Sequence, residues 1–249
     1  MIGTPPSPLV SLLQRTRPGH LRSAVVGLAL TTAAACATAP PAVVEPAPDP
    51  MQLALALEDR TALQEPLRIV FDWRLNESGS RISGRGVARI EPPYRARLDL
   101  FLGSGETAIR AALVDGEYRL PPGAPQDLLP PPELMWGVLG VFRAQYGVEL
   151  MGAERLEGEA LRLRYRYPDD SLVHYRIVEG RVRQVERLRG DHVVERVQVE
   201  LVPESRYPLE ATYRDLTAFR ELHLTRASME RVESFPPDIW DPAGIRGAR

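Results

Sequence analysis

The chain contains no lysine; all 31 of its basic residues are arginine. They stand against 33 acidic residues, for a formal net charge of -2, and they alternate with carboxylates instead of forming a block. That pattern argues against a nucleic-acid partner, which asks for a basic stripe or patch. A single cysteine rules out an intramolecular disulfide. Four histidines are present, but no H-E-x-x-H, G-x-S-x-G, P-loop or metal-spaced Cys/His set accompanies them. Asp191-His192 at a turn and Ser104 in a Gly-Ser-Gly stretch have no visible partners. The sequence therefore points to no enzyme, no cofactor and no metal. With 44% hydrophobic and 26% charged residues among 249, a single soluble domain of ordinary size is expected.

The one cysteine stands in a telling place. Arg15, Arg17, His20 and Arg22 precede an uncharged run from Ser23 to Ala35, which ends in small residues at Cys36. A basic n-region, a short apolar h-region and a small-residue cleavage site make a secretory signal. The run is too short to span a membrane, which takes about 20 residues of helix. Ala33-Ala34-Ala35-Cys36 resembles a bacterial lipobox, with alanine at position 33 where leucine is commonest. Residues 1–35 are thus expected to be removed and Cys36 to carry the lipid; the alternative is ordinary cleavage after Ala35, leaving a free thiol. Ala37 suggests sorting to an outer membrane, facing the periplasm. Residues 36–50 then read as the lipidated cysteine and a proline-rich tether that buries nothing, and 51–249 as the folded domain.

Asp49-Pro50 fits a helix N-cap with proline in the first turn, and Leu53, Ala56, Leu57 and Leu63 recur near helical period over 51–65. From Leu67 the period becomes two, with Leu67, Ile69, Phe71, Trp73 and Leu75 on one face. The alternation returns nine times, between turn signals such as Asp115-Gly116, Asp169-Asp170, Glu179-Gly180 and Gly190-Asp191. Residues 133–146, ELMWGVLGVFRAQY, read as a second, very apolar helix. The tally is about ten or eleven antiparallel strands in meander order and two helices. A sheet of that size with one apolar face must close or be covered. The expected fold is mainly β: a strongly curved, incomplete barrel capped by two short helices.

The stretch 84–120, GRGVARIEPPYRARLDLFLGSGETAIRAALVDGEYRL, resembles the lipoprotein-carrier superfamily of LolA, LolB and LppX. A glycine-bearing strand, an R-x-x-L-x-L strand, a Leu-Gly turn and a strand leading to Asp-Gly follow in the family order. Tyr207-Pro208 through Tyr213 and the ending Pro236-Pro237-Asp238-Ile239-Trp240 are similar to family tails. The layout is nearest that of the outer-membrane receptor LolB, itself a lipoprotein with a proline-bearing spacer. The resemblance implies a half-barrel whose hollow takes acyl chains of lipids or lipoproteins, with a periplasmic carrier protein as a further partner. It also implies a turn with a protruding leucine for delivery into the membrane, and Leu102 is nearest that place.

An acyl-chain site needs area, not a catalyst, because each buried methylene contributes about 0.8 kcal/mol. The candidate lining is Ile69, Phe71, Trp73, Leu98, Leu100, Leu161, Leu163 and Tyr165, with Met135, Trp136, Leu139 and Phe142 from the lid. The alternative is a solid core, and then a structural or partner-binding module of an envelope complex. Arg162, Arg164 and Arg166, on the opposite face, either attract anionic headgroups or pair with neighbouring carboxylates. A monomer is expected.

Overall fold

The computed structural model describes residues 41–125, 128–144, 146–203 and 205–242. Cys36 and the export signal lie outside them. Among the described residues the chain forms thirteen strands and two α-helices. The first part holds β1 (Val43–Pro46), α1 (Pro50–Thr61), β2 (Leu67–Glu77), β3 (Ser80–Glu91), β4 (Arg95–Leu102), β5 (Thr107–Val114), β6 (Glu117–Arg119) and α2 (Pro132–Val138). The second holds β7 (Glu149–Leu156), β8 (Ala160–Arg166), β9 (Leu172–Val178), β10 (Arg181–Arg189), β11 (His192–Glu200), β12 (Glu210–Asp215) and β13 (Arg220–Arg231).

All strands join one sheet in the order β1-β7-β8-β9-β10-β11-β12-β13-β2-β3-β4-β5-β6, antiparallel throughout. Two runs of hairpins, β7 to β13 and β2 to β6, are therefore sewn together where β13 pairs with β2. The sheet curves around its apolar face and stays open between β1 and β6, the incomplete barrel expected from the alternation. Tight turns hold the runs together. Asp115-Gly116 and Glu179-Gly180 both take positive φ at two successive residues, the condition for a two-residue turn that matches strand twist.

The sequence expectation falls short in the irregular parts. Residues 43–46 are not free tether but pair with β7, and Ala47 is buried in the core. A strand can be built there because β7 offers an unpaired edge. β7 and β6 are further strands that the alternation did not disclose: in β7 only Ala153 and Leu156 are buried, and β6 is three residues long. α1 stops at Thr61, and its buried residues are Ala54, Leu57 and Thr61, while Ala56 is exposed. α2 stops at Val138, well short of Tyr146, because Gly140 turns left-handed at φ 77. A Cβ at Gly140 would lie 2.8 Å from the Pro208 ring, so only glycine fits against that loop.

The concave face carries the core, and α2 lies within it across β10, β11 and β12. The convex face is solvated except over β4 and β5. There the final turn, Pro237–Trp240, buries Trp240 against Ala112 and Val114, and Arg97 donates to the Ile239 carbonyl. Arg97 and Asp99 are consequently buried as a pair 3.0 Å apart, on the face where the alternation places polar residues.

Candidate acyl-chain site

The concave face collects most of the residues that the alternation selected. Ile69, Phe71 and Trp73 of β2, Leu98 and Leu100 of β4, and Leu163 and Tyr165 of β8 are all buried in one core. So are Met135 and Trp136 of α2, and Leu139 and Phe142 in the segment after it. Leu161 is only partly buried, at the margin of the cluster.

The set divides in two. Phe142, Tyr165 and Tyr175 form an aromatic cluster with ring centroids 4.8 to 6.2 Å apart. Ile69, Phe71, Leu98 and Leu139 instead line a small apolar pocket together with Val138 and the 207–211 segment. Its volume is about 40 Å³, room for about three water molecules and far too little for an acyl chain. Among the described residues the concave face is closely packed, with this small opening at the lid rim.

The lid is fastened at both ends. At the start of α2, Glu133 is 1% exposed and pairs with Arg187, which also binds Glu195 at 3.3 Å. The Tyr213 hydroxyl donates to Glu195 at 2.6 Å. Burial raises the Glu133 carboxyl above the ordinary range, against the pull of Arg187. One turn on, Gly137 lies so close to β10 that a Cβ there would meet the Val185 methyl at 2.6 Å. Beyond α2, the Phe142 amide donates to the Thr61 hydroxyl of α1 at 2.9 Å. Arg143 pairs with Glu58 and stacks over the Tyr94 ring at 3.7 Å. The Tyr94 hydroxyl donates to the same Glu58 at 3.0 Å; burial and that carboxylate push it up to about 12. Sequence reasoning missed both fastenings, although a lone Glu133 at the head of an apolar run was the visible sign of the first. Inside the lid, the Trp136 indole N–H has no partner among the described residues, and an unmet donor costs about 1–3 kcal/mol.

Leu102 does not protrude: it ends β4, packs against the core and accepts from Gly105 N–H at 2.8 Å. The exposed turn beyond it is Gly103, Ser104, Gly105 and Glu106, none of them apolar. Arg162 and Arg164 both pair with Glu154, and Arg166 with Glu149, so this row is an ion-paired strand face. Among the described residues no group of three or more His, Cys, Asp or Glu side chains could hold a metal ion, and no helix is long and apolar enough to cross a membrane.

His174, beside that row, gives a measurable signature. Burial, then the Arg162 charge, push its pKa down to about 4, and its Nε2 meets no partner. An unfolded chain takes up this proton near 6.5. Between about pH 6.5 and 4 the unfolded state thus binds more protons, and stability falls as pH drops through that window. His174→Gln is expected to flatten this part of the curve of thermal midpoint against pH. Superimposable curves for the two proteins would remove His174 as the cause.

No family model matches the chain, and no curated protein does. Among solved structures it is similar to a LolA superfamily protein from Nitrosomonas europaea, at 12% identity and a TM-score of 0.51, over 76% of this chain and 96% of that one. Lesser likenesses are a domain named for outer membrane lipoprotein sorting from Vibrio parahaemolyticus (10% identity, TM-score 0.47, 76% and 94% covered) and a DUF1329 family protein from Desulfovibrio piger (8%, 0.47, 77% and 95%). The chain has a LolA-like fold, and the likeness singles out no one member.

Proposed function

We propose that the protein is an envelope lipoprotein, anchored through Cys36, that takes acyl chains beneath α2 and takes part in lipid or lipoprotein transport. The observation that carries this reading is the lid. α2 and the residues after it insert Met135, Trp136, Leu139 and Phe142 into the concave face, where a sheet of this curvature alone would present an open apolar hollow. Lifting them would expose Ile69, Phe71, Leu98 and Leu100, and an acyl chain would replace the same apolar contacts methylene by methylene. The unmet Trp136 donor lowers the cost of leaving the closed state. The lipid anchor would hold such a site within reach of a membrane surface, and a periplasmic carrier would be the natural donor.

A packed module that binds a partner protein and no lipid is the second reading, favoured by the 40 Å³ volume of the pocket. The exported chain with Cys36→Ser, which removes the anchor's own acyl groups, separates the two. After incubation with lipid extract, native mass spectrometry is expected to show a bound species of lipid mass. Protein that stays ligand-free under every loading condition establishes the packed module.

A further inference from the structure

Beside the apolar pocket lies a second, polar cleft of about 420 Å³, lined by Arg60, Arg181, Arg206, Glu179 and Tyr207 among others. Tyr207 lines both hollows. Leu139 faces the pocket and its neighbour Gly140 the cleft. The two therefore adjoin at the lid rim, across Tyr207 and the step from Leu139 to Gly140.

Its charge is unbalanced. Among the described lining residues three arginines, Arg60, Arg181 and Arg206, face one carboxylate, Glu179. Arg181 pairs with Glu179 at 3.1 Å, whereas Arg60 and Arg206 make no ion pair among the described residues. Several arginines of the sheet, Arg162, Arg164, Arg196 and Arg214 among them, do hold carboxylates. Both unpaired groups are positioned. The Arg60 guanidinium lies against Gly180, where a Cβ would approach it to 2.5 Å. Arg206 donates to the Arg60 carbonyl in the last turn of α1, where a cation also meets the negative end of the helix dipole. At the junction, half-buried Arg226 lines the apolar pocket and donates to Ser205 Oγ at 2.8 Å and the Tyr207 carbonyl at 3.1 Å. A guanidinium carries five donors, so each of these groups keeps several for an anion.

We propose that this cleft holds the phosphate headgroup of an anionic amphiphile whose acyl chain enters the adjoining apolar pocket as α2 lifts and widens it, with Arg60 and Arg206 as the headgroup ligands and Arg226 at the junction. It rests on the chain-uptake reading and names the class of lipid. Planar guanidinium forks match phosphate oxygens bidentately, and the neighbouring apolar wall selects a phosphate that carries a chain.

The test uses the full chain with Cys36→Ser and three probes: dodecyl phosphate, dodecyl maltoside and inorganic phosphate. Displacement of a fluorescent fatty acid at low salt is expected to rank dodecyl phosphate at least about tenfold tighter than dodecyl maltoside, with inorganic phosphate ineffective, and added salt is expected to shrink the gap. In Arg60→Gln/Arg206→Gln, whose replaced side chains are exposed, the two detergents should bind alike while the maltoside value stays that of the parent. Arg226→Met, read in the same way, reports the junction. Equal binding of both detergents by the parent overturns the headgroup site and leaves chain uptake standing. Inorganic phosphate competing as well as dodecyl phosphate assigns the cleft to the free anion and also overturns it. If no probe with a chain binds, the uptake reading has failed, and this site with it.

Discussion

A disulfide between cysteines at positions 137 and 185 is expected to abolish lipid uptake, and reductant to restore it. A Cβ at position 137 would stand 3.5 Å from the Val185 Cβ, inside the spacing that a disulfide bridges without backbone movement. Both sites are buried, one in the last turn of α2 and the other in β10, so the bond would tie the lid to the sheet. Because Gly137 leaves no room for a side chain beside the Val185 methyls, the pair must be changed together: losing those methyls makes the space that the sulfurs fill. With about 40 Å³ open beside the lid, the chain uptake proposed above would require the lid to leave. The oxidised Cys36→Ser/Gly137→Cys/Val185→Cys protein should therefore retain no lipid by native mass spectrometry, and the reduced protein should retain it as the parent does. Undiminished loading of the oxidised form would mean that chains are held somewhere other than under α2.

Gly84→Ala is expected to destabilise the fold by about 3 kcal/mol, although it adds one methyl group. Gly84 of β3 stands between Trp73 of β2 and Leu102 of β4, and a Cβ there would come within 1.8 Å of the Phe101 carbonyl oxygen. That carbonyl accepts the Trp73 indole N–H at 3.1 Å, so the indole reaches across the bare Gly84 position to the next strand but one. An irregularity in the pairing of β4 with β5 between Leu100 and Phe101 accompanies it. The methyl collides with backbone, which cannot swing aside as a side chain can, and relief would break the indole bond. Gly103→Ala is the control: nothing lies within 4 Å of a Cβ there, and a change within about 0.5 kcal/mol is expected. Chemical denaturation of the two variants checks both, and equal midpoints would show that β4 yields at Phe101 without cost.

How much could be read in advance follows from what each residue touches. β2 was legible to the residue, since Leu67 to Leu75 face a core and their neighbours face water. Two glycines in G-R-G were legible only as part of a family-like strand. Their reason is cross-strand: the rings of Phe71 and Trp73 stand opposite Gly86 and Gly84, and no period within one strand records what the next one carries. Arg97 and Asp99 obeyed the alternation and are buried nonetheless, because the tail at Trp240 covers that patch from 141 residues away in sequence. β1 is an exposed edge strand and β7 a weakly apolar one beside it, and they hold each other through backbone bonds, to which side-chain patterns are blind. At the site, the apolar members were visible as sheet and lid faces. The clasp of Glu58, Tyr94 and Arg143 was not, since it draws one residue each from α1, the β3–β4 turn and the segment after α2.

The seam between β2 and β13 also sets when this molecule can exist. Arg220 meets Glu77 across 143 residues of chain, and eleven pairs run along the two strands from Arg220 to Arg231. Until residue 231 has left the ribosome, β2 has only β3 beside it, and the hollow has half its wall. Contacts so distant in sequence form late and slowly, so a growing chain stays without this lock until β13 has emerged. For the export proposed above, such lateness would be an advantage, because a chain that still lacks the seam of β2 and β13 is easier to thread through a translocation channel.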